Sequence, residues 1–148
     1  MQREIKYRGK RIDTGEWVYG DLLLNNGNPI IVIQVKRDYI GYTDVGAGKH
    51  WHIETPAYKV LPESVGQYTG LKDKNGTDIY EGDVVQYSNS MENGKAIVKY
   101  QSCTFVFDWF EQNTSSPSII AESMSYFQCS AELQIIGNTI DNPELIKP

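Results

Sequence analysis

The sequence predicts a mostly β protein: an N-terminal antiparallel sheet or barrel followed by a small SH3-like barrel, with little helix. Short segments rich in β-branched and aromatic residues are each bounded by turn residues, as at Asn26-Gly27 and Asn75-Gly76. Tyrosine is unusually frequent, with ten among 148 residues, and aromatic side chains suit a pleated, half-buried surface. Because every predicted element is short and joined by turn chemistry, a parallel sheet with crossover helices is not expected.

The N-terminal half consists of predicted strands separated by turns. These strands are expected over residues 5–11, 16–24, 30–35, 38–43 and 50–55. Pro62 suits the first position of a short helical turn, and Gly66 would end that turn. Composition and charge balance also change there, so the predicted subdomains are residues 1–61 and residues 62–148.

The central stretch, residues 66–85, is rich in turn-forming residues. Asn75-Gly76 favours a type I′ turn, and Asp73 is placed to accept a backbone N–H near that turn. Gly82 is expected to have a positive φ, and Asp83 is expected to cap the N–H groups that follow it.

Beyond this stretch, the sequence predicts a hairpin formed by residues 84–87 and 96–100. An aromatic strand is expected over residues 104–110, and a closing strand over residues 133–136. For residues 119–127 the pattern leaves a short helix or an irregular segment open.

Residues 67–76, Gln-Tyr-Thr-Gly-Leu-Lys-Asp-Lys-Asn-Gly, and 79–85, Ile-Tyr-Glu-Gly-Asp-Val-Val, resemble the signature of the YopX family of phage and prophage proteins. Residues 5–11, 15–20, 136–138 and 142–145 are similar to the opening and closing motifs of that family. The resemblance implies a largely β protein encoded by a phage or prophage, and it implies no particular activity. The residues of the central stretch that we assign to a structural motif are Tyr68, Gly70, Asp73, Asn75, Gly76, Tyr80, Gly82 and Asp83.

The charge distribution limits nucleic-acid binding. The net charge is −5, and residues 66–148 carry five Lys or Arg against eleven Asp or Glu. A protein that coats DNA needs a broad basic face to release counterions from phosphates. The exception is a small basic patch in the first eleven residues, where Glu4 is opposed by Arg3, Lys6, Arg8, Lys10 and Arg11. Of these, Arg8, Lys10 and Arg11 are the candidate binding residues. This patch is a candidate phosphate-binding site, and the alternative is a solvated edge strand that charge protects from aggregation.

Two groups of residues are candidate metal ligands. Strand alternation places His50, His52 and Glu54 on one face, and two histidines at this spacing can share a zinc ion. A further ligand is not evident, so the favoured interpretation is that these three side chains lie on the solvent-exposed face of a sheet. The central stretch also holds four carboxylates, but their spacing does not match a calcium loop; they are Asp73, Asp78, Glu81 and Asp83. No cofactor is expected.

Location and redox state follow from simple features of the sequence. Cys103 and Cys129 are too few for a disulfide framework, and neither a secretion signal nor a transmembrane segment is recognisable. A cytoplasmic protein with free thiols, not associated with a membrane, is therefore expected.

The aromatic strand predicts self-association. Alternation places Phe105, Phe107 and Trp109 on one face, with Val106 and Phe110 on the other. A small barrel has one interior, so the second apolar face has to be covered by the N-terminal subdomain, by a second copy of the chain or by a partner. Trp109 and Phe110 are therefore candidate binding residues in a homo-oligomer.

Taken together, these features favour a non-catalytic accessory protein that binds an unknown host or phage protein, or a second copy of itself. One alternative is a nucleic-acid-binding barrel that stacks bases on aromatic side chains beside the basic patch. Another is a metal-dependent hydrolase that uses His50, His52 and nearby acids.

Overall fold

The computed structural model describes residues 4–33, 40–45, 48–53, 55–88, 93–113, 121–123 and 133–146. Within these ranges the chain forms antiparallel strands and two short 3-10 helices, which confirms the mostly β prediction. The chain divides into two compact units. The N-terminal unit is Lys6–Val65, and the C-terminal unit is Met1–Ile5 together with Gly66–Pro148. No helix within the described ranges has the length and apolar character needed to cross a membrane.

Among its described residues, the N-terminal unit forms six strands and one 3-10 helix. The strands are β1 (Tyr7–Lys10), β2 (Trp17–Asn25), β3 (Asn28–Val32), β4 (Ile40–Val45), β5 (Gly48–Ile53) and β6 (Ala57–Lys59), and the 3-10 helix is Pro62–Ser64. Antiparallel pairing orders four of them β6-β3-β2-β1, while β4 and β5 form a separate pair. Asn26 and Gly27 have φ values of 50° and 81°, as a two-residue hairpin turn between β2 and β3 requires.

Backbone hydrogen bonds join the two ends of the β6-β3-β2-β1 sheet. Arg11 forms a β-bridge with Val60, and the N–H of Ile12 donates to the carbonyl oxygen of Lys59 over 3.1 Å. The N–H of Leu61 donates to the carbonyl oxygen of Lys10 over 2.8 Å. The segments that follow β1 and β6 are thus paired, and the sheet closes on itself around the buried side chains of Ile31 and Val60.

In the described part of the C-terminal unit, the chain forms seven strands and one 3-10 helix. The strands are β7 (Gly66–Lys72), β8 (Asp78–Tyr80), β9 (Asp83–Ser88), β10 (Asn93–Gln101), β11 (Thr104–Asn113), β12 (Ala121–Ser123) and β13 (Leu133–Asn138), and the 3-10 helix is Pro143–Ile146. Five strands form an antiparallel sheet in the order β12-β11-β10-β9-β13, and β7 pairs with β8. The segment 119–127, which the sequence left open, contains the strand β12, and its other residues lie outside the described ranges.

The core of the C-terminal unit lies on one face of this sheet. Its buried apolar side chains come from β8, β9, β10, β11 and β13, and they are Ile79, Val85, Ala96, Val98, Phe105, Phe107 and Leu133. Phe107 is fully buried on the central part of β11, so one face of the aromatic strand contributes to this core.

Candidate functional site

The turn within the central stretch differs from the predicted type I′ form. The N–H of Gly76 donates to the carbonyl oxygen of Asp73 over 2.9 Å, so Lys74 and Asn75 are the central residues of the turn. Gly76 has φ 82°, whereas Asn75 is not among the described residues with positive φ. A type I turn with Asp first and Gly fourth has this arrangement. The type I′ prediction was wrong because the loop has three residues, 74–76, and begins one residue earlier.

The Asp73 carboxylate holds this turn together, as predicted, and also reaches a distant strand. Its Oδ1 accepts the N–H groups of Asn75 and Thr77 over 2.8 and 2.9 Å. Its Oδ2 accepts the N–H of Ile135 in β13 over 3.3 Å. The residue is only 7% exposed. The carboxylate therefore satisfies local donors and one donor from 62 positions further along the chain.

The environment of Asp73 favours its ionised form. Burial by itself would raise the pKa of this carboxyl. The hydrogen bonds that it accepts have a larger, opposite effect; they come from the N–H groups of Thr77, Ile135 and Asn75 and from the Asn75 side chain. The pKa of Asp73 therefore lies below its usual range. Asp73 is thus a charged structural group at neutral pH, and a role as a general acid does not fit it.

The same turn occupies the edge of β13. The N–H of Lys74 donates to the carbonyl oxygen of Leu133 over 2.8 Å, next to the contact between Asp73 and Ile135. A free strand edge can pair with another chain. The turn takes up a donor and an acceptor of β13 and so limits such pairing at this edge.

Gly82 and Asp83 fix the start of β9. Gly82 has φ 85°, as predicted. Its N–H donates to the carbonyl oxygen of Val98, and its carbonyl oxygen accepts the N–H of Thr139; both hydrogen bonds are 2.9 Å long. Asp83 is fully buried, and its Oδ2 accepts the N–H of Tyr80 over 2.8 Å. Tyr80 precedes Asp83, so the direction of this contact differs from the predicted capping of later residues.

Replacement of Gly82 by Val is expected to lower the free energy of unfolding by about 1–3 kcal/mol, because a β-branched residue is strained at positive φ. Gly82→Asn is the matched control, since Asn tolerates this conformation better and should cost less. Urea unfolding of the three proteins measures the difference. Equal stability of wild type and Gly82→Val would contradict the structural role of this glycine.

The remaining motif residues also serve the fold. Tyr68 and Tyr80 are buried, with ring centroids 5.6 Å apart at an angle of 47°. Gly70 has φ 91° in β7, and the hydroxyl of Thr69 donates to the carbonyl oxygen of Ile79 over 2.8 Å. These contacts tie β7 to β8 and place Ile79 in the core.

The four carboxylates of the central stretch have separate partners. Asp73 and Asp83 accept backbone N–H groups, Asp78 pairs with Lys72, and Oε1 of Glu81 accepts the N–H of Tyr100 over 3.2 Å. Among the described residues, no group of three His, Cys, Asp or Glu is placed to hold a metal ion.

The predicted basic patch is largely engaged within the N-terminal unit. Arg8 is buried, with its Cζ 4.8 Å from the centre of the Trp17 ring. The Arg11 guanidinium hydrogen-bonds both oxygens of Asp13, over 2.9 and 2.6 Å, and lies 4.1 Å from the centre of the Tyr58 ring. These hydrogen bonds lower the pKa of Asp13 and raise that of Arg11. For Lys10 the hydrogen bond involves the backbone and not the ammonium group: its N–H donates to Oγ of Ser64 over 2.7 Å.

The structure leaves the predicted histidine site undecided. His50 and His52 lie in β5, opposite Thr43 and Gly41 of β4. The side chains of this pair of strands and all of Glu54 fall outside the described part of the structure. The metal site stays a prediction.

The predicted binding residues of β11 lie at an irregularity in the sheet. Lys95 pairs with Glu111 and Ala96 pairs with Trp109, so Phe110 is an extra residue in β11. A bulge of this kind interrupts the alternation of faces. The Phe110 side chain is 40% exposed, while the side chain of Trp109 is outside the described part. Alternation alone could not place these two side chains.

A groove in the N-terminal unit was not predicted from the sequence. Its volume is about 360 Å³, and its apolar walls are Ile12, Pro29, Ile30, Val60 and Pro62. Side-chain amides and Lys59 complete the lining; the amides are Asn25, Asn26 and Asn28. In the sequence, these asparagines indicated only a turn. The groove could not be predicted because its wall residues come from segments that are far apart in the chain.

The chain matches a known protein family over nearly its whole length. A model of the YopX protein family matches residues 6–147. The chain belongs to the YopX family. The match spans both units and includes the Asp73 turn, the Gly82-Asp83 bend and the groove. Among curated proteins, none matches the chain.

Two solved structures are similar to this YopX-family chain. Protein EF1440 from Enterococcus faecalis is 21% identical, with 99% of this chain and 100% of that chain covered and a TM-score of 0.59. Protein YopX from Bacillus subtilis is 18% identical, with 97% and 96% covered and a TM-score of 0.45. The similarity to EF1440 concerns the fold alone.

Proposed function

We propose that this YopX-family chain is a non-catalytic accessory protein of a phage or prophage that acts in the bacterial cytoplasm by binding a host or phage protein, or a second copy of itself. The observation that carries the proposal is a set of large apolar side chains exposed on the strands. The phage setting follows from the resemblance noted in the sequence, and the family model itself spans both units.

The exposed face of β2 is the main support for a binding role. Tyr19 and Leu23 lie on the same face of this strand and are 49% and 53% exposed. Leu23 is directly opposite Ile30 of β3, so the apolar surface continues across two strands. Burial of such side chains against a partner gains about 25 cal/mol for each Å² of apolar surface removed from water.

The polar residues of the central stretch fit this proposal, because they stabilise turns and strand ends. The carboxylates of Asp73 and Asp83 are occupied by backbone N–H groups, and Lys72 pairs with Asp78. The motif that defines the resemblance to the family is thus a structural support, and the binding role falls to surfaces outside it.

Light scattering over a dilution series and affinity capture from phage-infected host cells test the proposal. Wild type is expected to self-associate or to retain a specific protein, and Leu23→Ser is expected to weaken that association. Gln86→Ser, at an exposed strand residue of the C-terminal unit, is the control. Phe110→Ser tests whether a second copy docks on β11.

Two results would contradict this function. One is a protein that stays monomeric at high micromolar concentration and retains no more protein than a blank resin. The other is retention of single-stranded DNA that weakens as salt rises, in the absence of any protein partner, because a phosphate-binding role would then account for the chain.

A further inference from the structure

We propose that the groove of the N-terminal unit binds an acidic, apolar segment of a partner protein, with an aliphatic side chain in the groove and a neighbouring carboxylate on Lys59. This inference rests on the proposed function, and it names the site and the chemistry of the bound segment.

The walls of the groove suit an aliphatic side chain. The floor includes Val60, which is fully buried, and the rim includes Ile12, which is 59% exposed. Ligand sites have volumes of roughly 300–1,000 Å³. A groove of about 360 Å³ therefore has room for one or two side chains, and its open rim gives them access.

The charge of the groove selects an anion. Among the described residues that line it, Lys59 is the charged one and none is acidic. Within the described ranges the Lys59 ammonium forms no ion pair, whereas Lys72 pairs with Asp78 and Lys99 pairs with Asp108. A ligand carboxylate beside Lys59 would form a charge-assisted hydrogen bond in a partly apolar setting.

The amides favour a polypeptide. An asparagine side chain both donates and accepts hydrogen bonds, so it can pair with a peptide group. Asn25 and Asn28 are paired across the turn that Asn26 and Gly27 make, which holds three amides at one end of the groove. Within the described residues these side chains form no hydrogen bond of their own.

The surroundings of the groove extend the apolar surface. Leu23 is 53% exposed and lies directly opposite Ile30, a wall residue, so the two side chains share one face of the sheet. A small molecule held in the groove would leave Leu23 in water. An extended peptide segment can cover Leu23 as well, which is why we assign the site to a protein partner.

In the test, the peptide acetyl-Gly-Leu-Asp-Leu-Gly-amide is added to the full chain. Binding is monitored by the side-chain amide NMR signals of Asn25, Asn26 and Asn28. Addition of the peptide is expected to shift these signals. Lys59→Gln should weaken binding about tenfold, the effect of losing a hydrogen bond to a charged group. Lys74→Gln is the matched control, because Lys74 is an exposed lysine of the C-terminal unit and its replacement changes the net charge equally.

A peptide with Asn in place of Asp completes a double-mutant cycle. It should bind wild type about tenfold more weakly than the acidic peptide, and it should bind Lys59→Gln with little further loss. The absence of amide shifts up to millimolar peptide, or equal losses in Lys59→Gln and Lys74→Gln, would overturn the groove proposal. If Leu23→Ser still releases a captured partner in that case, the proposed function survives and only the groove assignment fails.

Discussion

Asp73→Asn is expected to lower the free energy of unfolding by about 3 kcal/mol, because hydrogen bonds to a charged group are worth about 1.5–3 kcal/mol and an unsatisfied buried donor costs a similar amount. In this variant one carboxylate oxygen becomes an NH₂ group. If the remaining oxygen stays with Asn75 and Thr77, the NH₂ faces the N–H of Ile135, and two donors then oppose each other. Chemical unfolding of both proteins measures the loss.

Asp78→Asn is the matched control for this substitution. It removes the same charge from the same hairpin, but Asp78 pairs with a lysine whose side chain is 59% exposed. Such surface pairs contribute about 0–1 kcal/mol. Losses of equal size in the two variants would show that the charge of the hairpin, and not the contacts of the Asp73 carboxylate, determines its stability.

The effect of Asp73→Asn is expected to depend on pH. The pKa of Asp73 is lowered in the folded protein, so its contribution is fully present above the unfolded value of about 3.9. This contribution is lost as the pH falls through the lower folded pKa. The stabilities of wild type and variant should therefore differ most near neutral pH and converge in acid. A difference that stays constant down to the folded pKa would contradict the ionised state that we assign to this carboxylate.

Gly20→Ala is expected to destabilise the N-terminal unit by about 3 kcal/mol, the sum of overpacking and a disturbed strand pairing. A Cβ atom on Gly20 would lie 2.1 Å from the carbonyl oxygen of Val32 and 3.1 Å from Cα of Ile33. Both atoms belong to the backbone, so the new methyl group can be accommodated only if β2 and β3 move apart. Unfolding followed by tryptophan fluorescence measures the loss, since Trp17 lies in β2.

Gly27→Ala is the control for the steric argument. A Cβ atom on Gly27 meets nothing within 4 Å, but its φ of 81° is unfavourable for alanine. The expected cost is about 1–2 kcal/mol, from backbone conformation alone. If Gly20→Ala is the milder of the two, close contact between strands is not what requires glycine at position 20.

Local patterns in the sequence were sufficient to predict much of the fold. Strand alternation and turn residues gave the β class and the hairpin of β9 with β10, because both depend on neighbours within a few residues. The positive φ of Gly82 followed from the same kind of reasoning. The turn at Asp73 was placed correctly but assigned the wrong type, since a shift of one residue in the loop exchanges one turn for another.

Contacts between distant segments could not be predicted from a single sequence. The hydrogen bond from the N–H of Ile135 to Asp73 joins residues 62 positions apart, and no local sequence pattern indicates it. Arg11 belonged to a predicted basic patch, yet its contact with Tyr58 depends on how β1 meets β6. The groove has the same origin, because Ile12 and Pro62 approach each other only when the sheet closes.

The hydrogen bond from the N–H of Ile135 to the Asp73 carboxylate also has a consequence for folding during translation. β9 finds one neighbour, β10, within a few residues, but its other neighbour, β13, is synthesised about fifty residues later. Until β13 leaves the ribosome, Oδ2 of Asp73 lacks its hydrogen bond from Ile135, and one edge of β9 lacks its partner strand. High contact order of this kind delays folding. The contacts of the central stretch are therefore complete only when β13 is in place, and its arrival helps to remove the Asp73 carboxylate from water.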